Sequence, residues 1–254
     1  MANHLHNDLL ALEKRLLYLG TQVEQSVRRA VTALLERKQD LALDVIEGDI
    51  SIDLQEVELE EECLKILALH QPVANDLRFV AAVLKINNDL ERIGDLAVNI
   101  SKRAAFLTTA PHFPVPSLMQ EMMEECMRLL RESLDAFVQG SVEAARSICR
   151  DDDIIDDYHR RIWRQVLDSM ESDRLMIEPG MQMFAVSKSL ERIADHATNI
   201  AEDVVYMVEG AIIRHSLNRT PGGSSAESNA GTPGERSGGA GGDGPSHRRV
   251  APSE

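Results

Sequence analysis

A chain of 254 residues with a formal charge of −15 and only 4 % aromatic side chains must build its core from Leu, Ile, Val, Ala and Met. That composition favours helices over strands. The last 38 residues carry four basic and four acidic side chains, so the whole negative excess lies on the first 216; such a surface repels nucleic-acid backbones and anionic lipid, and leaves cations and basic protein faces as partners.

Taken in chain order, Leu10, Leu17, Val23, Val27, Val31 and Leu34 recur near whole helical turns and predict a long helix from Asn7 to about Arg37. A second runs from Leu41 to about Leu69, with a break expected at Gly48. Pro72 closes it and opens a third, Val73 to Leu107, because a proline is tolerated where the N–H is unpaired anyway. "TTAPHFPVPS", Thr108 to Ser117, holds three prolines and reads as a linker. Helical patterns then return over Leu118–Gln139, Val142–Met170 with a break near Asp151, and Met181 to about His215. The expected fold is all-α: two pseudo-symmetric three-helix bundles, 1–107 and 118–216, joined by the linker 108–117. A Gly/Ser/Pro-rich tail, 217–254, lacks the apolar residues to offset ordering and is expected to be disordered.

Cys63, Cys126 and Cys149 form no CxxC pair and read as buried, reduced thiols. The first ten residues lack the basic start and apolar run of a signal peptide. No segment approaches the roughly 20 apolar residues of a membrane span. A cytoplasmic protein is expected, with no direct membrane insertion.

One phrase is written twice. "LERIGDLAVNI", Leu90–Ile100, returns as "LERIADHATNI", Leu190–Ile200, identical at eight of eleven positions. On a helix, Leu90, Ile93, Ala97 and Ile100 share one face, while Glu91, Asp95 and Asn99 lie nearly opposite. Carboxylates one turn apart repel by roughly 0.2–0.5 kcal/mol, yet both copies keep them. A second pair stands on the middle helix of each half: Asp49 and Asp53 in "DISID", Asp152 and Asp156 in "DDIID", with Asp153 and Asp157 as an alternative register. If the second and third helices of each half lie side by side, each half offers four carboxylates. These are Asp49, Asp53, Glu91 and Asp95, then Asp152, Asp156, Glu191 and Asp195. An all-oxygen set suits Mg²⁺, Mn²⁺ or iron ahead of zinc. The other reading is a charged outer face on which Arg92 and Arg192 pair with acids of the neighbouring helix.

"ERIGD…N" and "ERIAD…N", together with "VIEGD" (Val45–Asp49) and "HQPVANDLRFV" before the first copy, resemble the PhoU family over roughly residues 5–215. The resemblance implies a regulator and not an enzyme. It implies a protein that works with a phosphate ABC transporter and a phosphate-sensing histidine kinase to repress the phosphate-starvation response when phosphate is plentiful. It also implies metal binding through paired E/DxxxD motifs, at the eight acids named above, and a homodimer is expected. The second half departs from the family in lacking the Gln-Pro…Asp-Leu-Arg segment, so Asp76 and Arg78 have no duplicates. Those two read as a helix cap with a salt bridge, and His196, in place of Leu96, as a surface histidine. Two rivals stand beside this reading. A metal-free acidic adaptor would use the same stripes to dock on basic faces. A carboxylate-bridged metalloenzyme would need paired Glu-x-x-His motifs, and Asp156–His159 is a single near match.

Overall fold

The computed structural model describes residues 2–211, apart from the side chains of residues 2, 3, 151 and 152. The expected tail, 217–254, lies outside the described residues, as does the side chain of Asp152. Among the described residues there is no strand.

The helices are α1 (Ala2–Leu35), α2 (Gln39–His70), α3 (Ala74–Thr109), α4 (Leu118–Gln139), α5 (Val142–Ser172) and α6 (Ile177–Glu209), with a 3-10 turn at Arg174–Met176 before α6. The buried stripe of α1 starts from Leu12, Leu16 and Leu19 and not from Leu10 and Leu17. Eleven residues at about 100° each bring Leu12 to within about 20° of Val23, whereas thirteen leave Leu10 about 140° away. Leu10 is accordingly exposed.

Both α2 and α5 run through their expected breaks at Gly48 and Asp151 without interruption. Glycine lowers helix propensity but does not forbid the conformation, and packing on one face overrides it. A Cβ at Gly48 would meet nothing within 4 Å. Gly48→Ala should therefore raise stability by about 0.5–1 kcal/mol, read as a higher urea midpoint with an unchanged slope.

The ends of the helices differ from expectation for local reasons. Pro72 lies in the connection: Gln71 closes α2 in the left-handed region (φ 45), and extended Val73 precedes α3. α6 begins four residues earlier than Met181, since Pro179 sits in its first turn where no N–H is needed. It ends at Glu209 and not near His215, because Gly210 takes φ 73 and its N–H returns to the Tyr206 carbonyl at 2.9 Å. The proline-rich connection is anchored by Phe113, which is 2 % exposed and packs where Gly180 leaves room.

α3 and α6 form the central pair. α1 and α2 flank α3, α4 and α5 flank α6, and α1 touches α4 across the seam. α2 and α5 are outermost. Buried side chains of both halves belong to one continuous apolar cluster. Charged side chains tie the seam, Lys85 of α3 to buried Asp203 of α6 at 2.9 Å and His196 Nδ1 of α6 to Asp89 of α3 at 2.8 Å among them. His196 is therefore a half-buried seam residue and not a surface histidine. Arg78 also crosses the seam, donating from Nε to the Met207 carbonyl at 3.1 Å and so capping α6. It also donates to Asn75 Oδ1 at 2.6 Å within its own helix, so a carbonyl contact stands where a salt bridge was expected.

Cys63 and Cys126 are buried, Cys149 is half-buried, and none of the three is in a disulfide. Among the described residues no helix is long and apolar enough to cross a membrane.

Candidate functional site

The acids of the first half stand along the α2–α3 contact. Their placement follows from the apolar register: Val45, Ile52 and Leu59 of α2 and Leu90, Ile93 and Ala97 of α3 point into the core. Asp49 is thereby turned toward α3, and Glu91 and Asp95 toward α2. A Cβ on Gly94 would lie 3.4 Å from Asp49 Oδ1 and 3.3 Å from Ile52 Cγ2, so glycine at the centre of "ERIGD" lets the two helices and the carboxylate come close.

Asp49 Oδ1 is buried without a hydrogen-bond partner. Burial, followed by the negative charges of Asp53 and Asp95, pushes the Asp49 carboxyl up to about 6. Burial and then Asp95 also raise Glu91, against the pull of Arg92. Arg92 reaches back to Glu91 at 3.3 Å and Asp95 at 3.5 Å on its own helix, and not to the neighbouring helix as the charged-face reading requires. The structure thus brings Asp49, Asp53, Glu91 and Asp95 within electrostatic reach of one another. Among the described residues, no three carboxylate, imidazole or thiol groups close around one point as metal ligands.

A fifth acid belongs to this face. Glu56 lies one turn beyond Asp53, its carboxyl raised by burial and then by Glu60 and Asp53. Asn87 donates to its Oε1 at 3.1 Å and to its carbonyl at 2.9 Å. The signal was available in the register Asp49, Asp53, Glu56, which continues a single helix edge.

The second half is not a copy in chemistry. Ile148, Ile155 and Ile162 are buried as Val45, Ile52 and Leu59 are, so Asp152 and Asp156 correspond to Asp49 and Asp53. Asp157 instead turns to Arg160 and Arg161 on its own helix. The same register puts His159 where Glu56 stands and Ser187 where Asn87 stands, and His159 Nδ1 is 3.0 Å from Ser187 Oγ. Burial lowers the His159 pKa, while Glu191 and Asp156 oppose that effect and Lys188 adds to it. Glu191 is ion-paired with Lys188, and Asp156 and Asp195 are exposed. Glu191, Asp156, His159 and Lys188 therefore share one face. His159 and Lys188 break the all-oxygen pattern expected for this half.

The donor set of the first half fits a hard cation. It offers oxygen ligands only, one of them a buried oxygen with no proton donor, and Asp49 and Glu91 are held above the usual carboxylate range by burial and then by neighbouring carboxylates, a penalty that a cation would relieve. Protons are bound to native Asp49 at pH values where the unfolded side chain, at its ordinary 3.8, has lost them. Its contribution to stability is therefore lost as pH rises from about 4 to 6, and stays lost above. Without added metal, Asp49→Asn should stabilise the protein at pH 7.5 by about 1 kcal/mol after allowance for solvent screening at this half-exposed site. Paired urea melts at pH 7.5 and 4.5 check this: the gain should shrink at the lower pH. Mn²⁺ should raise the melting temperature of the wild type more than that of the variant.

The PhoU domain family matches residues 16–104 and 119–204, one match in each half. The phosphate-specific transport system accessory protein PhoU of Serratia marcescens is 35 % identical over 208 residues, covering 82 % of this chain and 86 % of the relative. The PhoU homolog of Deinococcus radiodurans is 37 % identical over 212 residues, 83 % of this chain and 99 % of its own. The crystal structure of PhoU from Pseudomonas aeruginosa superposes with a TM-score of 0.76 at 34 % identity, over 81 % of this chain and 99 % of that one. With both halves matched and a near-complete relative aligned on the same six-helix frame, the chain belongs to the PhoU family.

Proposed function

We propose that this protein is a cytoplasmic regulator of phosphate uptake and phosphate signalling. In this reading it keeps the phosphate-starvation response off when phosphate is plentiful, by linking the state of a phosphate ABC transporter to a sensor histidine kinase. The observation that carries it is the match, in both halves and over 82 % of the chain, to accessory proteins of a phosphate-specific transport system. The family consists of regulatory accessory proteins and not of known enzymes. The role fits a rigid helical body acting by contact: a net charge of −15 suits basic faces of partners, and no step of bond chemistry is needed.

Cation binding is the second part of the proposal. Asp49, Asp53, Glu91 and Asp95 would hold the ion in the first half, joined by Glu56, and Mg²⁺, Mn²⁺ or iron suits such oxygens. Asp152, Asp156, Glu191 and Asp195 would do so in the second, where His159 offers a nitrogen that tolerates Fe or Zn. A bound cation would supply positive charge that releases Arg92 and Lys188 from the acids they now neutralise. The competing reading, a metal-free acidic adaptor, draws on those same arginine and lysine pairs.

The test is alkaline phosphatase activity in a strain deleted for this gene and grown with abundant phosphate. High activity, returned to low by the wild-type chain, supports the repressor. Low activity in the deletion strain overturns it. Glu91→Gln and Glu191→Gln proteins, purified without a histidine tag and assayed for metal content, then separate the two readings: loss of metal with repression retained favours an adaptor whose cation is incidental to signalling.

A further inference from the structure

The outer face of α2 carries apolar side chains that the fold does not use. Leu43, Ile50, Val57 and Leu64 are spaced by seven residues, and Leu54 lies beside them. They are exposed by 44, 66, 49, 53 and 61 % respectively. At about 100° per residue they fall within an arc of roughly 80°, directly opposite the buried Val45, Ile52, Leu59, Cys63 and Ile66. Twenty-one residues at 1.5 Å make this a ridge of roughly 32 Å. α2 is therefore apolar on two opposite sides, and only one of them meets the rest of the bundle.

The internal duplication supplies the control. In the register that aligns the buried positions of α2 and α5, the places of Leu43, Ile50 and Val57 are taken by Arg146, Asp153 and Arg160. Arg146 is engaged with Glu209, and Asp153 and Arg160 are exposed. At those places the same helix in the same fold is polar, as it is where Asp157 matches Leu54, and an apolar residue recurs at Leu167 for Leu64, so most of the ridge on α2 is not a requirement of the architecture. Contiguous exposed apolar surface of this kind marks an interaction site.

Charge decides what covers it. Arg29 and Arg15 neutralise Asp44 and Glu58 on one flank. Exposed Glu47, Asp53, Glu60 and Glu61 border or interrupt the ridge. A second copy packed along this face would set those acids against their own kind, in either helix direction, and such like-charge flanks disfavour pairing. A heptad-spaced apolar seam with acidic borders is instead complementary to an amphipathic helix whose own borders are Lys and Arg.

We propose that the α2 ridge is a docking surface for a basic amphipathic helix of a partner protein. This rests on the reading of the chain as an adaptor that works by contact, and gives that contact an address. Asp53 sits at the border of the ridge, so an occupied α2 face also abuts the first acidic site.

The test uses the full chain and a fluorescein-labelled 25-residue peptide with Leu at heptad a and d positions and Lys or Arg at the flanks. A second peptide has every Leu replaced by Ser. Anisotropy titrations should show the Leu peptide binding at least about tenfold tighter than the Ser peptide, with both weakened by salt. Ile50→Ser/Val57→Ser should reduce the Leu peptide to the level of the Ser peptide, while Arg160→Ser at the matching place on α5 should leave the preference intact. Both changes are at exposed positions and leave the core untouched. Equal affinity for the two peptides would overturn the proposal by showing charge attraction alone. Self-association of the wild type that the double variant abolishes, read by sedimentation, would also overturn it and assign the ridge to a second copy. The peptide assay does not depend on the phosphate response, so it can fail while the repressor reading stands, and the reverse.

Discussion

Leu190→Ala should lower the unfolding free energy by about 3 kcal/mol, within the range of 2–5 for a large aliphatic side chain removed from a packed core. Leu190 is fully buried, and its carbonyl accepts the Cys126 thiol of α4 at 3.2 Å. In a closely packed interior the surroundings relax only in part, and the cavity left adds to the lost transfer energy. For a body of about 200 residues this is a fall in melting temperature of roughly 6–12 °C. Leu90→Ala, equally buried at the matching place in α3, should behave alike. Glu191→Gln, one residue on, should change stability by less than about 0.5 kcal/mol, since its partner Lys188 is half in solvent. Thermal and urea melts followed by circular dichroism separate the two classes of letter in the repeated phrase. The reverse ranking, with glutamate costly and leucine cheap, would mean that the helix faces are wrongly assigned.

The second large effect lies at the seam. Lys85→Met should cost about 2–3 kcal/mol at neutral pH, because Asp203 is 1 % exposed and Lys85 Nζ sits 2.9 Å from its Oδ1 and 4.4 Å over the Tyr206 ring. Removing one member of a buried pair typically costs 3–5 kcal/mol. The lysine's partial exposure and the other contacts of Asp203 reduce the loss here. Replacing both residues, Lys85→Met with Asp203→Leu, should be less costly than the single change, giving a coupling of about 1 kcal/mol or more in a double-mutant cycle. Additive losses would show that the tie carries no energy of its own.

Helix content, the six-helix order and the split of each repeated phrase into an apolar and an acidic edge were legible in the linear pattern, because they depend only on a period of 3.6 residues. Where pattern reading erred, a local cue was overridden by packing or displaced by cap geometry. Gly48 predicted a break, and α2 runs on because Val45 and Ile52 pin both sides of it. The linear pattern starts the last helix at Met181, whereas α6 begins at Ile177, because a proline in a first turn is compatible with helix. The edge shared by Asp49, Asp53 and Glu56 is legible along one helix, but the tie of Glu56 to Asn87, 31 residues away, is not.

By itself the sequence determined which side chains face a core and which form acidic edges, since those follow from spacing along one helix. It also carried the duplication and the family, which are matters of letters and order. Only the tertiary structure decided what the second face of each helix meets. It turned His196 and Asp89 into a seam contact, set His159 in the second half where the first has Glu56, and left the ridge of α2 facing outward. Burial and pairing at those positions depend on which helices are neighbours, and no periodicity within one helix encodes that.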